Sequence, residues 1–424
     1  MNNLFVLILT IISIPLGIYT HNEGDVGKII VLLIFFMQLY LIKRFKYSQG
    51  LLLLSLYLFI YVLYFIPYFF QGLDLSEWTE YQNRYYFSLS LYQFYIFYLG
   101  LCIGASYPIN ENKSTLITDL SFKVTPLNNF FFCIALFIVI KAVLNIGQNV
   151  LNSSNPYEAY IGNLDNSNSL PLFAIIFVLV FYICIKKKLL KTFFLTIFFL
   201  ILLYHNITRG FRILIPIIIL AIFLIKFELK WKTRTLLIMF CIGFIGLILL
   251  NNLKNGDSFS FNTLFSEEGD DYVLSHHADS LYGSACMNGV IQENKLILFD
   301  RIKLLIGFIL EAVIPPSFLP IEMKYPLFIN EMTITGGGGL CPIGCYVMGG
   351  YFFTLLFPIC YVRFIDYCYK ENINPYIKLI GITTLILFPR WISYDFHVIL
   401  RIPIIACFIT FIASKIKLEK LFCE

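Results

Sequence analysis

His205, Arg209 and Arg212 stand at offsets 0, +4 and +7 in the stretch LLYHNITRGFR, the spacing of one helical face. Two guanidiniums on one face can grip a phosphate through paired N–H donors, a geometry that lysine does not reproduce. Gly210 lies between them and predicts a helix end nearby. A second group gathers Arg390, Trp391, Asp395, His397 and Arg401. His397 and Arg401 are four apart and can share a helix face, and imidazole moves protons near neutral pH. A third runs Glu267-Glu268-Gly269-Asp270-Asp271 and then His276-His277-Ala278-Asp279. A carboxylate beside a histidine makes a general base, so His277, Asp279 and His397 are the candidates for that role. Acids at this density can hold a divalent cation, but the spacing matches no metal template and no metal ligands are assigned. Fourth, four glycines precede Pro342, and Gly337 and Gly338 would let backbone N–H groups approach a phosphate. Arg301 and Lys303 open an apolar run and could steer an anion towards it. Each group also has a plainer reading: snorkelling arginines, an interface anchor, a solvated acidic loop and a flexible joint. No Walker, G-x-G-x-x-G, G-x-S-x-G or H-E-x-x-H pattern occurs.

These residues are set in a chain of 424, of which 59% are hydrophobic and 13% charged, with mean hydropathy +0.79. A soluble domain carries about 25% charged residues. The composition therefore excludes a cytosolic enzyme, a nucleic-acid binder and a disordered protein. The expected fold class is an all-α polytopic membrane protein. Twelve apolar runs predict transmembrane helices at 3–20, 28–42, 50–70, 87–107, 127–145, 169–185, 189–207, 211–227, 235–252, 341–362, 376–389 and 398–413. The run 302–319 is broken by Glu311 and Pro315-Pro316 and reads as an interfacial or re-entrant helix. This divides the chain into helices one to nine (1–252), a large external loop (253–340), and helices ten to twelve with a cytoplasmic tail (341–424). The first twenty residues lack a basic leader and read as a retained helix. Most of the eleven cysteines lie in apolar runs, leaving Cys286, Cys341 and Cys345 as candidates for the oxidising side. No internal repeat is visible, which weighs against a transporter.

The positive-inside rule places both termini in the cytoplasm, with the lysine-rich segments at 43–46, 186–191, 226–234 and 415–420 inside. Residue type then departs from that rule. Sixteen of the twenty-two lysines fall inside, but six of the nine arginines fall outside: Arg84, Arg209, Arg212, Arg301, Arg390 and Arg401. All five histidines also fall outside. Topology selects charge and hardly separates lysine from arginine. An excess of arginine on the disfavoured side points to an anionic ligand there, among groups able to move protons.

The plan resembles the bacterial O-antigen and capsule repeat-unit polymerases. The residues carrying the likeness are Thr208-Arg209-Gly210-Phe211-Arg212, the loop 253–340, and the stretch TGGGGLCPIGCYVMGG at 335–350. It covers most of the chain as architecture and only these pieces as sequence. The glutamate expected before the aromatic and glycine of the late segment is absent, and Cys345-Tyr346 stands there. The resemblance implies a glycosyltransferase of the bacterial inner membrane with its active site facing the periplasm. Its donor is a glycan on undecaprenyl pyrophosphate and its acceptor a lipid-linked repeat unit. Membrane lipid, a chain-length regulator and a flippase are the implied partners, with no nucleic acid and no cofactor. His205, Arg209, Arg212, Arg301, Arg390, Arg401, Gly337 and Gly338 would hold the pyrophosphate or glycan.

Other readings stay open. An O-antigen ligase uses similar parts. A flippase or exporter of the same lipid would need charges along a route through the bilayer, whereas here they collect at one face. A membrane O-acetyltransferase would need a cytoplasmic histidine, and none is expected.

Overall fold

The computed structural model describes residues 2–19, 25–71, 84–107, 137, 141, 188–208, 214–227, 232–255, 276–293, 295–325, 327–333, 339–370, 373–394 and 396–415. These are mostly helical, with no strand among the described residues. The helices are α1 (Asn2–Tyr19), α2 (Asp25–Arg44), α3 (Gln49–Ile66, continued by a π-turn Pro67–Gln71), α4 (Arg84–Ser106), α5 (Lys188–Thr208), α6 (Leu214–Phe227) and α7 (Thr233–Asn255). They continue as α8 (His276–Gln292), α9 (Leu298–Leu310), α10 (Leu327–Asn330), α11 (Cys341–Cys368), α12 (Pro375–Ile386), α13 (Phe388–Ser393) and α14 (Val398–Lys415). Ten of the twelve expected apolar runs overlap described helices. The runs at 127–145 and 169–185 lie outside the described residues apart from Phe137 and Lys141.

Length and composition let four helical stretches cross a bilayer: Asp25–Arg44, Gln49–Phe70, Tyr85–Ser106 and Cys341–Cys368. Six shorter apolar helices accompany them among the described residues. The chain therefore has the helices of a membrane protein. The two compact units of the fold comprise Met1–Glu111, Phe261–Tyr367 and Arg390–Arg401 in the first, and Asn112–Ser260, Cys368–Pro389 and Ile402–Glu424 in the second.

In the first unit α4 is the central post, with α1, α2 and α8 packed on it. Tyr92 donates to the Ser13 carbonyl (3.0 Å), Tyr95 to that of Leu9 (2.7 Å) and Tyr98 to that of Ser55 (3.0 Å). Phenols three residues apart thus satisfy their hydroxyls on the backbones of α1 and α3 while their rings fill the core. A Cβ at Gly100 would stand 2.5 Å from the Leu355 carbonyl oxygen, so α4 and α11 meet backbone to backbone there. The far end of α4 is capped from α2. Arg44 donates to the carbonyls of Ala105 (2.6 Å), Ser106 (3.3 Å) and Tyr107 (2.8 Å), a cation on the negative end of the helix dipole.

The stretch expected as one external loop holds packed structure. α8 is buried from Ser280 to Ile291. Its Ser280, Ser284 and Asn288, four residues apart, form a polar seam. Asn288 exchanges hydrogen bonds with Gln93 (2.6 and 3.2 Å) and donates to Ser90 (2.9 Å), and Ser284 accepts the Leu340 N–H (3.2 Å). α9 follows, its first turn fixed by Asp300, whose carboxylate accepts the Ile297 N–H (3.3 Å). Thirteen residues at 1.5 Å each make about 20 Å, too short to cross a hydrocarbon core of about 30 Å. α9 instead turns back through 3-10 turns at Pro316–Phe318 and Ile321–Met323. Gly307 faces the Met323 carbonyl so closely that any Cβ there would collide with it.

In the second unit α5 packs on α6, and α6 meets α12. Asn374 caps α12 by accepting the Tyr376 N–H (3.0 Å), with Pro375 as the first helical residue.

Candidate functional site

The sequence candidates fall into three sets. Arg209, Arg212, Gly337 and Gly338 lie outside the described residues, as does Asp395. His205 is buried near the end of α5, in the second unit. His277 and Asp279 form part of the first turn of α8. Arg301, Arg390, His397 and Arg401 all belong to the first unit. Arg390 lies 5.6 Å over the Tyr394 ring, and the Arg401 N–H bonds the His397 carbonyl (3.1 Å), so those two share a helical turn.

His397 is the candidate with the most developed surroundings. Its Nδ1 lies 3.1 Å from Glu311 Oε2, with only 5% and 6% of the two side chains exposed. Glu311 sits one residue past α9, where that helix ends inside the unit. The imidazole is flanked by the rings of Phe308 (5.6 Å) and Tyr325 (6.0 Å), and Phe308 stacks on Phe396 at 4.7 Å. Burial pushes the Tyr325 phenol well above its ordinary range, and the Cys341 and Cys345 thiols add to the shift. Tyr325 therefore stays protonated and donates to Met287 Sδ (3.1 Å). A carboxylate on Nδ1 orients the imidazole and fixes its tautomer, the arrangement a general base needs.

One turn before His397, Ser393 bonds the phenols of Tyr57 (3.1 Å) and Tyr61, and its carbonyl accepts from Ser280 (3.1 Å). Tyr57 and Tyr61 lie well inside α3, so the α13–α14 junction sits within the packed unit.

Arg301 lies near the opposite end of α9 from Glu311. Its guanidinium donates to the Tyr346 carbonyl (3.4 Å) and lies 5.3 Å over the Tyr346 ring. Beside it α11 is interrupted at Gly349 (φ −147°, ψ 20°) and Gly350 (φ 62°, ψ −162°). Positive φ at Gly350 is a conformation that side chains disfavour. The neighbouring Asp300 pairs with Lys303 (3.8 Å) and the Ile297 N–H, and no carboxylate meets Arg301 among the described residues.

Among the described residues no three His, Cys, Asp or Glu side chains gather in a way that could hold a metal. The Cys341 and Cys345 thiols lie 4.0 Å apart, and these two and Cys286 are buried.

Sequence reasoning passed over Glu311 as an interruption of an apolar run. An acid in such a run is itself a signal of a buried partner. It also passed over Gly349-Gly350 within the tenth expected span, a paired glycine that marks a helix break. Tyr325 carried no signal, because contact with His397 arises only from the backward turn after α9. The chain matches no protein-family model, no curated protein and no solved structure.

Proposed function

We propose that this protein is a polytopic membrane glycosyltransferase of the bacterial inner membrane, with about twelve spans. It joins lipid-pyrophosphate-linked oligosaccharide repeat units into a surface polysaccharide at the periplasmic face. The observation that carries the reading lies on α9. This helix bears an arginine without a carboxylate partner among the described residues near its start, and just past its end a carboxylate bonded to a histidine. About ten residues, or roughly 15 Å of helix, separate the two. A glycosyl diphosphate with an acceptor sugar bridges such a distance.

In this reading the diphosphate of the donor lies at Arg301. His397, its Nδ1 held by Glu311, takes the proton of the acceptor hydroxyl on its other ring nitrogen. The hydroxyl oxygen bonds the anomeric carbon as the carbon–oxygen bond to the diphosphate breaks, and the leaving group departs as an anion on the Arg301 guanidinium. One fixed donor aimed at the developing charge contributes about 3 kcal/mol, or roughly a hundredfold in rate. Phe308 and Tyr325 exclude water from the base, and the Tyr325 segment moves for the acceptor to enter.

The test is the polysaccharide ladder of a strain lacking the gene, complemented with variants. Arg301→Ala, His397→Ala, Arg209→Ala and Arg212→Ala are each expected to leave the protein in the membrane and give single repeat units. Full ladders from Arg301→Ala and His397→Ala sink the reading. The deletion strain also sorts the neighbouring activities. Single units transferred to the acceptor lipid mean a polymerase, long chains held on the carrier lipid a ligase, and units accumulating inside a flippase.

A further inference from the structure

The geometry points to the break in α11 as a binding site for a glycosyl diphosphate headgroup, with Tyr351 as the surface on which the sugar ring stacks. The identity of the headgroup rests on the function proposed above, but the site is argued from its own chemistry.

Three features converge there. The first is positive charge. Arg301 presents a planar fork of five N–H donors, and one is committed to the Tyr346 carbonyl. The second is the backbone. The interruption at Gly349-Gly350 starts a new helical stretch at Tyr351, eighteen residues long to Cys368. Its first N–H groups face the break and favour an anion. Thr354 braces the break by donating to the Gly350 carbonyl (3.0 Å). A Cβ on Gly350 would stand 4.0 Å from Arg301 Nη1, so the guanidinium lies directly against the break.

The third feature is a wall of phenols. Tyr351 meets Tyr346 at 4.7 Å between ring centroids (51° between planes) and Tyr92 at 5.3 Å (71°). The phenols of Tyr85, Tyr92, Tyr346 and Tyr351 lie near enough to interact electrostatically. A surface made only for lipid would be served by phenylalanine, of which this chain has 44. Tyr92 spends its hydroxyl on Ser13, and both Tyr92 and Tyr346 are buried. Tyr351, at 38% exposed, is the accessible ring of these three. An aromatic face beside hydroxyl donors and a guanidinium fits the apolar face of a pyranose whose anomeric oxygen carries phosphate.

Binding to the purified full chain in nanodiscs tests this, with farnesol, farnesyl diphosphate and farnesyl-diphosphate-linked N-acetylglucosamine as probes and calorimetry as the readout. The wild-type protein is expected to bind both diphosphates more tightly than farnesol, and the sugar-bearing probe most tightly. Arg301→Gln weakens both diphosphates about tenfold or more. Tyr351→Ala weakens the sugar-bearing probe alone, by about tenfold, and Tyr351→Phe restores it. Wild-type affinity of Tyr351→Ala for the sugar probe overturns the stacking role, as does an equal loss for farnesol. Diphosphate binding unchanged by Arg301→Gln overturns the site. The assay needs no transfer step. Normal probe binding in a protein that makes no polymer would defeat the proposed function and leave this site standing.

Discussion

A carboxylate and an imidazole both about 95% buried form a costly pair to assemble and a costlier one to split. Glu311→Leu or His397→Leu alone strands one polar partner in an apolar setting of Phe308, Phe396 and Tyr325. Each is expected to destabilise the protein by about 3–5 kcal/mol, whereas Glu311→Leu with His397→Leu costs much less than the sum. Thermal unfolding in detergent of the two single variants and the double variant gives the coupling, and additive losses would mean the two side chains do not act as a pair. Half of this site was legible in the sequence. His397 and Arg301 stood out because charge and imidazole are rare in so apolar a chain. Glu311 was visible only as a defect in a hydrophobic run, since its partner lies 86 residues away and no local pattern joins them.

Helices were the readable level. The run 341–362 became Cys341–Cys368, and 398–413 became Val398–Lys415, because continuous apolarity and helix length are the same constraint in a bilayer. α8 escaped for the opposite reason. Its seam of Ser280, Ser284 and Asn288 is satisfied by Tyr86, Ser90 and Gln93 of α4 and by the Ser393 carbonyl, so it is buried without being hydrophobic. Asn288→Leu leaves the Gln93 amide short of its partner and is expected to cost about 1–3 kcal/mol, read as a lower melting temperature. Gly350→Ala places a methyl against Arg301 at a positive φ. About 1 kcal/mol of backbone strain is expected, with a larger loss of polymer than of folded protein. Western blots and ladders from the same cells separate the two, and an equal fall in both would make the break purely structural.

At the scale of the molecule, packing defines an axis in the first unit. Arg44 caps α4 and Arg363 lies 5.6 Å over Tyr107, so both mark one end of the unit. The α11 break and Arg301 stand about thirteen residues, or roughly 20 Å of helix, away from Arg363. Cysteines introduced as Lys46→Cys and Lys295→Cys should therefore react from opposite faces of the membrane with an impermeant maleimide. Labelling of both from one side would overturn the topology. The lysine and arginine counts give an expected sidedness that this labelling tests, whereas the polar interior was not legible, because hydroxyl networks leave no imprint on hydropathy.

The contact of Gly307 with Met323 leaves no slack between α9 and the turn that carries Tyr325. On the function proposed above, α9 and this turn would act as one lever: a swing that uncovers the imidazole for an incoming sugar would also shift the guanidinium at the far end, gearing grip on the outgoing anion to admission of the nucleophile.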